Sequence, residues 1–246
     1  MLLGAQLYTV RSRLTSTQEI EQTLKKIKKI GYDSVQLFGS VELMEDCAKY
    51  SEDAGLSTVG VLVDMNFCEK YEQELFGICK KYNIPDIGIS SSPHEYQDPD
   101  AYIERVHSFA KKVKAESFTF SYHNHGHEFV RLSDGRTAMS HFLKKFAPSL
   151  VDFMPDTYWV HDGGYDVRYF LEETKGRVKI LHLKDLKRLA EGGHTYAEIG
   201  NGNLCFKEIL KVAKQNGIEQ FVVEQDVCPA DPIDSLRTSY NYLKSL

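Results

Sequence analysis

The strongest constraint on this chain is an alternation that repeats eight times. Short apolar runs rich in β-branched and aromatic residues take turns with stretches whose apolar residues recur every three or four positions. The runs are LLGAQLY (2–8), SVQLFG (34–39), STVGVLV (57–63), DIGISSS (86–92), FTFSYHNH (118–125), LVDFMPDTYWV (150–160), VKILHLKD (178–185) and QFVVEQD (220–226). Between them lie helical patterns. TSTQEIEQTLKKIKKIG places Ile20, Leu24, Ile27 and Ile30 on one face and stops at Gly31. DAYIERVHSFAKKVKAE does the same with Ile103, Val106, Phe109, Ala110 and Val113. FCEKYEQELFGICKKYN reads as one helix between the third and fourth runs. Strict alternation implies a parallel sheet, because parallel neighbours need a crossover between them. Eight units of roughly 30 residues imply that the sheet closes into a (β/α)₈ barrel; a doubly wound open sheet is the alternative. With 246 residues and no linker or composition break, the expectation is one barrel domain over 1–246.

Composition narrows the setting. A net charge of −5 argues against a nucleic-acid or anionic-membrane surface. The five cysteines are scattered without a CxxC pair, which suggests free thiols in a reducing, cytoplasmic environment. The start, MLLGAQLYTVRSRL, lacks the basic region and apolar core of a signal peptide. No apolar run is long enough to span a bilayer.

In such a barrel the working face is the rim formed by the strands' C-terminal ends. Strand five ends in His123-Asn124-His125, strand six carries Asp156, strand seven His182 and strand eight Glu224. Four neighbouring strands thus bring one candidate ligand each to the same rim. Two imidazoles with two carboxylates suit Zn²⁺, Mn²⁺, Fe²⁺ or Co²⁺ better than the oxygen-seeking Mg²⁺ or Ca²⁺. A carboxylate among apolar strand residues needs neutralising, which a divalent cation would do. Taken singly, each residue has a plainer reading: Asp156 could cap a turn before Tyr158, and Glu224 could pair with Lys184.

At these strand ends the sequence resembles the sugar isomerase/epimerase family with the xylose isomerase-like TIM barrel. QLYTVR, YHNHGHEF, DTYWVHDGG, HLKD, AEIGNGN and VVEQD occur in the order that family places them, across essentially the whole chain. The resemblance implies one divalent metal, Mn²⁺ or Zn²⁺ first and Co²⁺ or Fe²⁺ next, held by His123, Asp156, His182 and Glu224. Many relatives open the strand-five motif with glutamate, as ENH. Here His123 opens HNH, as in the inosose dehydratase branch, and Glu128 is the other candidate for the strand-five ligand. The implied chemistry is proton removal beside a metal-polarised carbonyl of a sugar or keto-sugar. Glu224 or Glu128 would be the base, and Lys184 an oxyanion stabiliser or acid. His125, Trp159 and Tyr8 would contact substrate, with His127 a loop residue. An isomerase or epimerase of this kind uses two glutamates on opposite substrate faces. The histidine at 123, and Gln36 where many relatives have glutamate, shift weight toward elimination, as in a lyase or dehydratase acting on a keto-sugar, keto-glycoside or inosose.

Other classes fit less well. An endonuclease IV-like phosphodiesterase shares the barrel but needs more ligands than Tyr8, Phe38, Asp64 and Ser90–Ser92 supply at the first four strand ends, and the acidic charge opposes it. A non-catalytic sugar-binding barrel has no use for four ligands. No GxGxxG, Walker loop or GxSxG is present. GNGN (200–203) before a helix could offer backbone N–H groups to an anion. The expected partner is a small sugar, with no nucleic acid and no membrane; homo-oligomers are common among relatives.

Overall fold

The computed structural model describes residues 1–91 and 95–246, omitting the Tyr96 side chain. Eight parallel strands form one sheet: β1 (Leu2–Gln6), β2 (Ser34–Leu37), β3 (Ser57–Asp64), β4 (Asp86–Ser90), β5 (Thr119–His123), β6 (Asp152–Met154), β7 (Ile180–Leu183) and β10 (Gln220–Val223). They run in the order β6-β5-β4-β3-β2-β1-β10-β7, so the first strand pairs with the last. Single parallel bridges, Phe153 to Val178 and Asp156 to His182, join β6 to β7 and close the barrel. The fourth strand ends at Ser90, and the Ser92 of the expected run lies outside the described residues.

The helices follow their sequence signals. In α1 (Thr17–Ile30) the Ser16 side chain accepts from Glu19 N at the start, and Gly31 ends the helix at φ 123. Its buried stripe is Ile20, Leu24 and Ile27, each worth roughly 1.5–3 kcal/mol of burial against the sheet. Equivalent faces pack from α2 (Val41–Asp53), α5 (Pro99–Ala115), α9 (Phe206–Gln215) and α10 (Pro232–Ser245). Among the described residues no helix is long and apolar enough to cross a membrane, and all five cysteines are unpaired.

Three local readings change. The helix expected across FCEKYEQELFGICKKYN is two, α3 (Met65–Lys70) and α4 (Glu72–Lys81), because Tyr71 leaves helical geometry at φ −121, ψ 34. The sixth strand stops at Met154. Thr157 to Asp162 then form a short helix, α7, whose first turn is capped by Asp156. The aromatic run DTYWV has strand propensity, yet a carboxylate accepting two backbone N–H groups decides in favour of helix. The seventh strand ends at Leu183; Asp185–Arg188 (β8) turns out of the barrel and pairs antiparallel with His194–Ala197 (β9). Gly192 and Gly193, at φ 98 and 76, make that turn possible.

Inside the barrel, Met154, Ile180 and Val222 form a small apolar plug, with Leu62 packed against it. Met154 has room because residue 88 is glycine: a Cβ there would stand 2.8 Å from Met154 Cε and 3.1 Å from Val61 O. The inward-facing residues one step nearer the C-terminal rim are polar, and the plug is the floor on which they sit.

Candidate metal centre

His123 ends β5, Asp156 follows β6, His182 lies in β7 and Glu224 follows β10. Each offers one ligand atom, and the four atoms lie within 4.8 Å of one another. Glu224 is 6% exposed and the other three at most 2%. The rim thus assembles all four residues expected from the strand ends.

Asp156 serves two ends. Its Oδ1 accepts from Tyr158 N at 2.9 Å and Trp159 N at 3.1 Å, while its own N–H donates to Asn124 Oδ1 at 3.0 Å. The turn-capping reading is therefore correct, and it leaves the other oxygen free. Oδ2 is buried with no hydrogen-bond partner, 4.0 Å from His123 Nε2 and 3.9 Å from Lys184 Nζ. His123 Nδ1 is likewise buried and unpartnered.

His182 is oriented from below. Its Nε2 contacts Gln36 Oε1 at 2.7 Å, and the same oxygen accepts from Gln6 Nε2 at 2.7 Å. An amide oxygen only accepts, so the imidazole proton belongs on Nε2. The Nδ1 lone pair then points at Glu224 Oε2, 2.9 Å away. Two lone pairs at that distance need a proton or a cation between them.

Charge tells the same story. Burial pushes the His123 imidazole well below its usual range, reinforced by His182 and His125. Burial also takes His125 down to about 3, so both rings are neutral at pH 7 and keep their lone pairs. Asp156 is pushed well up, first by burial, with Lys184 opposing and Glu224 adding to the rise. Burial acts in the same direction on Glu224, but Lys184 and the His182 contact outweigh it and hold the carboxyl below the usual range. Lys184 itself is buried; its Nζ lies 2.6 Å from Asp226 Oδ1 and 3.9 Å from Glu224 Oε2. One ammonium thus faces three carboxylates, and an added divalent cation would correct the imbalance. Orphaned donors, facing lone pairs and excess negative charge all fit a metal at this position.

A cavity of about 370 Å³ opens above these four residues. His123, His125, Lys184 and Glu224 line it from one arc of the barrel, and Tyr8, Phe38 and Phe67 from the other. Trp159 stands behind this lining: its ring packs 4.9 Å from Lys184 Nζ and 5.4 Å from the His125 ring. Glu128 lies apart, grouped with His125 and His127. It is fully buried; its Oε1 accepts from Tyr122 Oη at 2.7 Å and Ser91 Oγ at 3.1 Å, and its Oε2 from His125 N at 2.9 Å. Burial raises it to about 7 despite those donors. This arrangement anchors the loop that presents His125 to the cavity.

Sequence reasoning overlooked several residues that set this geometry. Asp226, at 2.6 Å, is the close partner of Lys184, with Glu224 farther off at 3.9 Å. Asp185 instead accepts from Gly200 N and Gly202 N at 3.0 Å each and from Leu204 N at 3.1 Å, so the anion in the GNGN turn is the protein's own carboxylate. Gln6 and Asn124 were silent because a neutral amide in a strand gives no sequence signal. Tyr196, carried over the site by β9, packs 5.3 Å from Lys184 Nζ.

The sequence model of the xylose isomerase-like TIM barrel family matches residues 24–246. A comparison with curated protein sequences finds no match. Among solved structures, a sugar phosphate isomerase/epimerase from Parabacteroides distasonis superposes with a TM-score of 0.84 at 23% identity, covering 99% of this chain and 93% of that one. A probable 3-DHS dehydratase from Bacillus anthracis does so with 0.75 at 14% identity, covering 99% of both. The IOLI protein with a bound zinc atom gives 0.73 at 15% identity, covering 100% and 97%.

Proposed function

Because the chain belongs to the xylose isomerase-like TIM barrel family, we propose that it is a divalent-metal-dependent isomerase or epimerase of a sugar or keto-sugar. The observation that carries this reading is the buried His123–Asp156–His182–Glu224 cluster beneath a cavity that also receives Lys184. The donor set suits Mn²⁺ or Zn²⁺ first, then Co²⁺ or Fe²⁺. When bound, the cation supplies Lewis-acid polarisation of a carbonyl, which makes the neighbouring C–H more acidic. Glu224 lines the cavity in its ionised form and takes that proton. The Lys184 ammonium, steadied by Asp226, offsets charge building on the substrate oxygen or donates a proton to it. Neutral His125 meets a substrate hydroxyl, Tyr8 closes the far side, and Trp159 holds Lys184 and His125 in place.

Elimination is the second reading, with a keto-sugar, keto-glycoside or inosose losing water or an aglycone. It is favoured by the position of Glu128. With that carboxylate committed to the loop, Glu224 is the one glutamate among the described lining residues, and Lys184 is an acid beside it. One base and one acid suffice for elimination, whereas epimerisation needs a proton returned to the opposite face.

Elemental analysis of the purified protein and of His182→Ala tests the metal; about one ion per wild-type chain, lost in the variant, is expected. Keto-sugars incubated in D₂O with the metal-loaded protein should gain deuterium beside the carbonyl, and Glu224→Gln should abolish the exchange. Isomer products separate the first reading from the second, which releases water or aglycone. No bound metal, and no exchange with Mn²⁺, Zn²⁺ or Co²⁺ added, would overturn both.

A further inference from the structure

The charge around the cavity bears on what kind of sugar enters it. Asp64, Glu224 and Asp226 line the cavity, and Asp156 lies just beneath. Lys184 is the one cation among the described lining residues, and Asp226 already holds it. A divalent cation would be balanced by Asp156 and Glu224, and Lys184 by one aspartate. Among the described lining residues one negative charge, that of Asp64, would remain unbalanced. Arg11 is not among the lining residues: its charge, which the carbonyls do not cancel, is held on the Tyr8 ring, 4.1 Å from the centroid, with N–H groups donating to Tyr8 O at 2.9 Å and Asp226 O at 2.8 Å.

Backbone donors are committed in the same way. Exposed N–H groups at helix starts and glycine turns are what proteins commonly use to grip phosphate. Asp64 Oδ1 takes Phe67 N at 2.8 Å at the start of α3. Asp156 takes the first N–H groups of α7, and Asp185 those of the glycine turn. Each of these three donor sets already holds a carboxylate of the protein. The opposite arc offers a different surface. Tyr8 and Phe38 meet edge to face, with centroids 5.2 Å apart at 84°, and Phe67 continues the same wall. A sugar's C–H face can lie against such rings while its hydroxyls turn toward the polar arc.

Building on the sugar reading above, we propose that the substrate is an uncharged, unphosphorylated sugar seated against the Tyr8–Phe38–Phe67 wall, and that the acidic mouth discriminates against phosphate esters. A phosphate monoester carries about −1.5 to −2 charges at pH 7 and would meet like charge where these three sets of backbone donors are already taken.

The test is calorimetric titration of the full-length Mn²⁺-loaded protein with neutral ketoses, each paired with its own phosphate monoester: D-fructose with fructose 6-phosphate, D-tagatose with tagatose 6-phosphate, and D-ribulose with ribulose 5-phosphate. At least one neutral ketose should bind, about tenfold or more tighter than its ester, and inorganic phosphate should not displace it. Asp64→Asn should narrow that gap by half or more, because the amide oxygen keeps the α3 cap while the charge is removed. An ester that binds as tightly as its parent sugar, or tighter, would overturn the proposal and leave the sugar reading standing. If protein with its full complement of metal bound neither class, the sugar reading would fail together with this one.

Discussion

Gln36 gives the sharpest test of how the centre is assembled. Its side chain is fully buried; Oε1 serves both His182 Nε2 and Gln6 Nε2 at 2.7 Å, and Nε2 reaches Met154 Sδ at 3.3 Å. Gln36→Leu keeps a side chain of similar reach and removes that acceptor. Two effects are expected. The His182 proton is no longer pinned to Nε2, so the ring loses its fixed tautomer and orientation. Losing such an outer partner typically weakens metal binding about 10- to 100-fold, or roughly 1.4–2.7 kcal/mol. The Gln6 amide is also left buried without its acceptor, a cost of about 1–3 kcal/mol in folding stability. Chelator-competition titration reads the first effect, and urea unfolding of the metal-free protein reads the second. Gln36→Glu keeps the acceptor and adds negative charge under the histidine, so it should restore affinity or exceed the wild type. A folded Gln36→Leu protein that binds metal as tightly as wild type would refute the idea that this amide orients His182.

Three further perturbations test other parts of the structure. Burial raises Asp86 to about 7, against a partly compensating hydrogen bond from Ser121. Well below pH 3.8 the carboxyl is protonated whether folded or unfolded. As pH rises toward 7 only the unfolded chain ionises freely, so stability is lost across that window, by up to about 4 kcal/mol. Asp86→Asn should flatten that slope in denaturation experiments between pH 4 and 8; an unchanged slope would show that Asp86 is not its source. Glu128→Ala removes three hydrogen bonds from the 124–129 loop and should cost about 2–4 kcal/mol while leaving metal content near one ion per chain; loss of the metal would make Glu128 a ligand after all. Lys184→Met removes an ammonium that competes for the same carboxylates. Metal affinity should hold or rise while turnover falls about 100-fold or more; full activity would rule out any catalytic role for that lysine.

Much of this molecule is written in local patterns. Periodicity and turn residues specify the eight barrel strands and most of the helices around them, because each buries a face that recurs with its own period. The positions of His123, Asp156, His182 and Glu224 at strand ends then follow from barrel geometry, and the sequence alone placed all four at one rim. What it could not decide are choices settled by contacts across the barrel. Gln36 and Gln6 are neutral amides whose meaning depends on which strand lies beside which. Lys184 stands next to Asp185 in sequence, yet it pairs with Asp226. Asp185 turns out of the barrel with β8, where the glycine turn supplies N–H groups to receive it. Asp156 is a cap through one oxygen and a candidate ligand through the other, a division visible only once α7 and Lys184 are both in place. Polar side chains carry no periodic signal of their own. Their partners are fixed by register and closure, and only the folded chain brings those about.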